Sequence, residues 1–229
     1  GIGWLPDGRM VVAAMYERKI MRMEADGSLV LHADVSDIAV VAINDLVTDA
    51  KGGCYVGDFG FDFHKGEKPK NGCLIYVAPD GSAIKAADDF GFANGSVLTP
   101  DGSTLIVAET FGGKFTAFDV NPADGTLSNR RLWAQLPQGR FPDGCCLDAE
   151  GAIWVGSLAN ETLRVKEGGE VTDVVTTEEG RHAVACMLGG ADKKTLFVCT
   201  SKATNMAKTV DRTSRIEKAQ VKVSGAGRP

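Results

Sequence analysis

Phe141-Pro-Asp-Gly-Cys-Cys-Leu-Asp-Ala-Glu-Gly-Ala-Ile-Trp-Val155 combines a polar pair, a short apolar run, an acidic turn ending in glycine and a second apolar run. The same layout occurs twice upstream, over residues 92–107 and 41–56. In each copy one polar side chain stands eight positions before the turn glycine: Asn44 before Gly52, Asn94 before Gly102 and Asp143 before Gly151. Three repeats therefore place a carboxylate or an amide at the same structural position.

Further units of this kind extend the pattern over the whole chain, with short apolar runs separated by turns such as Asp26-Gly27 and Asp124-Gly125. Helical periodicity is missing from almost every segment, and Val, Ile, Thr and aromatic residues fill the runs. A period of about 40 to 50 residues with several short strands in each repeat is typical of a β-propeller. The sequence predicts an all-β fold in which residues 1–229 form a single propeller domain with five recognisable blades.

The three repeated polar positions are expected to converge, because the first strand of each propeller blade lines the central channel. Each residue taken alone equally suits a bend before a strand. Three such residues at equivalent positions favour a binding site, since Ser or Gly would serve equally well if only a turn were needed. Two amides and one carboxylate offer only oxygen donors, which suit Ca²⁺, Mg²⁺ or Mn²⁺, and zinc also accepts a carboxylate.

Composition excludes several other classes of function. The chain carries a net charge of −5, which argues against a nucleic-acid partner. It has no run of about eighteen apolar residues, so no membrane span is expected. Six cysteines in a chain of 229 residues are too few for a disulfide scaffold, and reduced thiols favour a cytoplasmic location. The sequence has neither a Gly-x-Ser-x-Gly motif nor a glycine-rich phosphate loop, which disfavours covalent catalysis and nucleotide binding.

Four blocks of the sequence resemble the gluconolactonase and regucalcin-like lactonases. They are Asn44-Asp45, the stretch from Phe92 to Gly102, the stretch from Phe118 to Arg131, and Pro142-Asp-Gly with the residues up to Val155. The resemblance implies a six-bladed propeller with one divalent metal at the mouth of the channel, Ca²⁺ being favoured over Zn²⁺, Mn²⁺ and Mg²⁺. It also implies hydrolysis of sugar lactones and related esters.

Roles for individual residues follow from the same resemblance. Asn94 and Asp143 match metal ligands, Asp143 also matches the general base, and Asn44 matches a residue that contacts substrate or metal-bound water. Asp62 is a further candidate for substrate binding. Two positions depart from the family pattern. A glutamate ligand of the first blade has no counterpart, so the chain is expected to be incomplete by about one N-terminal blade. Ala42 stands where a basic residue that contacts the substrate is usual.

The sequence therefore predicts a divalent-metal-dependent hydrolase that opens a small lactone with metal-activated water. One alternative is a metal-binding propeller that senses or binds a ligand without catalysis, since fold alone does not specify activity. Another is a different propeller chemistry, such as condensation of the strictosidine-synthase type or hydrolysis of aryl esters. An incomplete ring would expose strand edges, so the chain is expected either to close as five blades or to form oligomers.

Overall fold

A computed structural model describes residues 1–62, 65–202 and 212–227, and His64 falls outside these ranges. The described residues form nineteen strands in five sheets, each sheet an antiparallel meander in chain order. The β-propeller class is therefore confirmed, with five blades where the family resemblance implies six. None of the described residues belongs to a helix that could span a membrane.

The strands follow one another blade by blade. Blade 1 comprises β1 (Ile2–Trp4), β2 (Met10–Ala14), β3 (Lys19–Met23) and β4 (Leu29–Asp34). Blade 2 comprises β5 (Ile43–Thr48), β6 (Cys54–Asp58), β7 (Gly72–Val77) and β8 (Ala83–Phe90). Blade 3 comprises β9 (Ala93–Leu98), β10 (Thr104–Glu109), β11 (Lys114–Val120) and β12 (Leu127–Gln135). Blade 4 comprises β13 (Cys145–Leu147), β14 (Ile153–Gly156), β15 (Glu161–Val165) and β16 (Val171–Thr176). Blade 5 comprises β17 (His182–Gly189), β18 (Thr195–Ser201) and β19 (Arg215–Gln220).

The core lies between the blades, because a strand points successive side chains to opposite faces of its sheet. On β6, Val56 packs into the cluster shared with blade 1, whereas its neighbour Tyr55 packs into the cluster shared with blade 3. On β14, Val155 faces blade 3 and Trp154 faces blade 5. Tyr55 and Trp154 are fully buried. The inner blades are therefore apolar on both faces.

The predicted turn glycines adopt the conformation that the pattern requires. Gly52, Gly102 and Gly151 have φ values of 93°, 72° and 79°, which an L residue adopts only with strain. Asp49 and Asp148 stabilise two of these turns, since each Oδ1 accepts hydrogen bonds from two backbone N–H groups. These turns join the innermost strand of a blade to its second strand.

The innermost strands β1, β5, β9, β13 and β17 contact one another in chain order around the channel. After β19 the chain crosses to blade 4, where Gly225 forms a β-bridge with Asp148. Ala226 then lines a small cavity in the channel together with residues of β5, β9, β13 and β17. The segment Val221–Gly225 thus borders the end of the channel where Asp148 lies.

The first and fifth blades each present apolar side chains to solvent. Trp4 on β1 is 45% exposed, and Ile216 on β19 is 69% exposed. Cys199, although it lies in an apolar run of the sequence, is exposed on β18. Its β-strand alternation explains the difference, because its neighbours Val198 and Thr200 are buried on the other face. Self-association through these blades stays a prediction.

Candidate functional site

Asn44, Asn94 and Asp143 all lie at the same end of the channel, which we call the mouth. Asn44 and Asn94 are the second residues of β5 and β9, whereas Asp143 lies two residues before β13. The sequence pattern places all three just before the innermost strand, and the structure places two of them inside it. The mouth is therefore built from equivalent positions in blades 2, 3 and 4.

Hydrogen bonds connect the mouth residues of blades 2 and 3. The side-chain Nδ2 of Asn44 donates to the carbonyl oxygen of Ala93, at a distance of 3.2 Å. Ala93 is the residue before Asn94, so the Asn44 amide fixes the backbone that carries the next candidate ligand. The lack of a side chain at Gly57 allows blades 2 and 3 to approach here, because a Cβ at Gly57 would collide with the carbonyl oxygen of Ala93.

Asn94 is 5% exposed and has a half-satisfied amide. Its Nδ2 donates to Oγ1 of Thr110 at 3.0 Å. Its Oδ1 is buried and has no hydrogen-bond partner among residues 1–62, 65–202 and 212–227. A buried carbonyl oxygen without a donor carries a free-energy cost of about 1 to 3 kcal/mol. A cation or an ordered water at this oxygen would relieve that cost.

The carboxylate of Asp143 lies in an environment that disfavours its charge. Burial raises its pKa to about 7, and the nearby Asp45 carboxylate adds to the shift. The Asn94 amide and the backbone N–H of Gly144 oppose the shift. A carboxyl group with a pKa near neutrality can accept a proton from water and release it again, as a general base does.

The oxygen donors at the mouth are of the kind that bind a hard divalent cation. Asn94 Oδ1 and the Asp143 carboxylate are the two candidate ligands, and water would complete their coordination. In the described part of the chain, no group of three or more His, Cys, Asp and Glu side chains comes together to hold a metal. The amide oxygen of Asn94 as a metal ligand therefore stays a prediction.

Asp62 lies in the loop that follows β6. Its Oδ1 accepts the backbone N–H of Lys65 at 3.1 Å, and its Oδ2 lies 3.0 Å from the Lys65 ammonium. These contacts order the loop itself, and a role of Asp62 in substrate binding stays a prediction. Asp58, close to it in sequence, is fully buried and accepts the backbone N–H groups of Val40 and Gly60.

An aromatic cluster of Phe59, Phe61, Phe92 and Phe111 adjoins the mouth on blades 2 and 3. The Phe59 and Phe92 rings stack with their centroids 4.4 Å apart, and the Phe111 ring meets Phe92 edge-on at 5.1 Å. Phe111 is 53% exposed, whereas the other three rings are buried. Ala42, which stands where the family pattern has a basic residue, is fully buried and packs against this cluster. This side of the mouth is therefore apolar.

Sequence reasoning missed Thr110. This residue directly follows β10, the second strand of blade 3, and contacts Asn94 on the innermost strand of the same blade. Sixteen residues separate the two in the chain. The available signal was the polar pair Glu109-Thr110, which follows the apolar run of residues 105–108 and directly precedes exposed Phe111. His182 begins β17, where its Nδ1 lies 2.8 Å from the carbonyl oxygen of Leu158.

Residues 1–202 match the model of the family described as SMP-30/Gluconolactonase/LRE-like region. The chain belongs to this family. The match covers all three of the repeated polar positions and the whole aromatic cluster. It therefore confirms the family resemblance drawn from the four sequence blocks.

Regucalcins and lactonases are among the relatives of this chain. Regucalcin from Xenopus laevis is 29% identical over 162 residues, which cover 69% of this chain and 54% of that protein. Lactonase drp35 from Staphylococcus saprophyticus is 27% identical over 217 residues, which cover 87% of this chain and 64% of that protein. The chain thus spans about half the length of the Xenopus relative.

Two solved structures of the family share the fold. The calcium-binding protein regucalcin from Agrobacterium tumefaciens matches with a TM-score of 0.79 at 20% identity, over all of this chain and 77% of its own. A gluconolactonase from Xanthomonas campestris matches with a TM-score of 0.72 at 28% identity, over 86% of this chain and 67% of its own. The blades of this chain are therefore arranged as in these relatives.

Proposed function

We propose that this chain carries the greater part of a divalent-metal-dependent lactonase site, which opens a small lactone by attack of water. The observation that carries the proposal is the meeting of Asn94 and Asp143 at one mouth, with an unpartnered amide oxygen on the first and a pKa of about 7 on the second. Lactonase drp35 and the Xanthomonas gluconolactonase support the choice of reaction by family membership.

Each mouth residue has a defined part in the proposed reaction. A divalent cation held by Asn94 and Asp143 would supply Lewis-acid polarisation of the lactone carbonyl. Asp143 takes a proton from the attacking water, a role that a carboxylate within hydrogen-bond reach of the water can fill. Asn44, half-buried beside Ala93, contacts the substrate or the attacking water from blade 2. The water oxygen bonds to the carbonyl carbon, the acyl C–O bond of the ring breaks, and Asp143 returns its proton to the ring oxygen.

The test is proton release from a panel of lactones, followed in a weakly buffered indicator assay. The panel includes an aldonolactone, an unsubstituted γ-lactone, an alkyl-substituted γ-lactone and an aryl ester. We expect hydrolysis that stops with a chelator and returns with Ca²⁺, Mn²⁺ or Zn²⁺. Activity that survives complete chelation would contradict the metal dependence.

Two variants define the role of the carboxylate. Asp143→Asn removes the base and the negative charge that would attract the cation, so we expect a loss of at least about 100-fold in kcat/KM. Asp37→Asn changes an exposed carboxylate in the loop between β4 and β5 and is expected to keep wild-type activity. Full activity in both variants would refute the assignment of Asp143. Metal binding without hydrolysis of any substrate would instead favour the ligand-binding alternative.

A further inference from the structure

Thr110 links the two candidate ligands through a single hydroxyl group. Its Oγ1 accepts the hydrogen bond from Asn94 Nδ2 at 3.0 Å and donates to the carbonyl oxygen of Pro142 at 2.8 Å. Pro142 is the residue before Asp143, and the Thr110 side chain is 4% exposed. One buried hydroxyl thus connects the backbone beside Asp143 in blade 4 with the Asn94 side chain in blade 3.

The direction of these two hydrogen bonds follows from the groups involved. A carbonyl oxygen can only accept, so the single proton of the Thr110 hydroxyl points to Pro142. The hydroxyl oxygen then has only lone pairs left for Asn94. The Asn94 amide must therefore turn its NH₂ group toward Thr110, and the same group also donates to the Asp143 carboxylate, so that Oδ1 lies on the opposite side of the amide.

The opposite side is where Asn94 Oδ1 lacks a partner in the described residues. An asparagine amide that turned by half a rotation would present its NH₂ group there and repel a cation. Residues that orient metal ligands by hydrogen bonds commonly change metal affinity by about 10- to 100-fold when they are replaced. We propose that Thr110 is a positioning residue, which orients the Asn94 amide oxygen toward a divalent cation at the mouth and sets its spacing from Asp143.

This inference rests on the metal site of the proposed function, yet its test does not require catalysis. The measurement is the affinity of the full chain for Ca²⁺ and Mn²⁺ by isothermal titration calorimetry. Thr110→Val keeps the shape of the side chain and removes the hydroxyl, so we expect affinity to fall by about 10- to 100-fold. Thr110→Ser keeps the hydroxyl, and we expect its affinity to stay within about threefold of wild type.

Thr162→Val is a matched control for the loss of a buried threonine hydroxyl. Thr162 is fully buried, and its Oγ1 has no hydrogen-bond partner within the described ranges. We expect this variant to bind metal like the wild type. Far-UV circular dichroism and thermal unfolding of every variant establish that the propeller is intact.

Several outcomes would overturn the proposal. Wild-type affinity in a folded Thr110→Val would show that the hydroxyl does not orient the ligand. A loss of metal affinity of tenfold or more in Thr110→Ser, which keeps the hydroxyl, would show the same. This second comparison is valid even if Thr110→Val does not fold. Wild-type protein that binds neither metal would overturn both this proposal and the metal dependence of the proposed function. Wild-type protein that binds metal without hydrolysing lactones would overturn only the proposed function.

Discussion

Gly95 and Asp143 lie against each other between blades 3 and 4, and the space between them admits no side chain. A Cβ at Gly95 would collide with the backbone carbonyl of Asp143 and would lie only 2.8 Å from the backbone nitrogen of Cys145. Gly95 directly follows Asn94 in β9. The glycine therefore permits the two candidate ligands to approach each other.

Gly95→Ala should separate Asn94 from Asp143. Backbone atoms on both sides must shift to admit the methyl group, which commonly lowers the free energy of unfolding by about 1 to 3 kcal/mol. We expect metal affinity to fall by at least about tenfold, measured by calorimetry on folded protein. Gly112→Ala is the control, because its Cβ would meet only side-chain atoms of Glu109 and Lys114 at 3.2 to 3.3 Å. Unchanged affinity in folded Gly95→Ala would refute the close-approach explanation.

Arg164 in β15 holds a buried carboxylate in blade 4. Its Nε donates to Asp148 Oδ2 at 2.7 Å, and both side chains are almost completely buried. Arg164→Ala leaves Asp148 charged and unpaired, so we expect the free energy of unfolding to fall by about 3 to 5 kcal/mol. Urea denaturation measures this loss. Arg131→Ala breaks a solvent-exposed pair with Asp119, and we expect it to cost no more than about 1 kcal/mol. Equal losses in the two variants would contradict the prediction.

Asp58 should make an unusual contribution to the pH dependence of stability. Burial raises the pKa of its carboxyl group, while backbone N–H groups, including that of Val40, oppose the shift. The folded protein therefore binds more protons than the unfolded chain, in which an aspartate has a pKa of about 3.9. The stability that Asp58 contributes is fully present below about pH 4 and is lost as pH rises through the folded pKa.

Asp58→Asn removes this titration. The quantity to measure is the difference in free energy of unfolding between wild type and variant, by urea denaturation at each pH. We expect this difference, wild type minus variant, to fall as the pH is raised from 4. Asp101 supplies a control of opposite sign, because hydrogen bonds from Thr99 and Ser103 lower its pKa to about 2. The corresponding difference for Asp101→Asn should shrink as pH falls below 4. A difference for Asp58→Asn that grows with pH would show that the sign is wrong.

Phe111 should select lactones with an apolar substituent, if the proposed reaction holds. Its ring is half-exposed, leans on buried Phe92, and follows directly after Thr110 at the mouth. Phe111→Ala should raise KM for an alkyl-substituted γ-lactone by about 3- to 10-fold, through loss of about 1 kcal/mol of apolar contact. KM for the unsubstituted γ-lactone should stay unchanged. Leu132→Ala, at an exposed position on the outermost strand β12, should leave both values unchanged. An equal effect of Phe111→Ala on the two lactones would argue against selection by this ring.

Much of the fold could be predicted because its signals are local. The glycine turns after Asn44, Asn94 and Asp143, and the β-rich runs between them, are encoded within about fifteen residues each. The equivalence of those three residues followed from their shared spacing to a turn, and the structure brings them to one mouth. Asp58 and Asp62 show what spacing along the chain does not specify. Both acids follow the same apolar run, yet one is fully buried and the other pairs with Lys65.

The sequence by itself determined the repeat, the strand and turn positions, and the residue types available to a site, because each depends on side chains that are close together in the chain. Only the tertiary structure decided that Thr110 fixes the orientation of Asn94, that Gly95 admits Asp143, and that four phenylalanine rings meet beside the mouth. These relationships join residues from different strands and blades. They depend on how twisted sheets pack against each other, and the spacing of residues along the chain does not specify that packing.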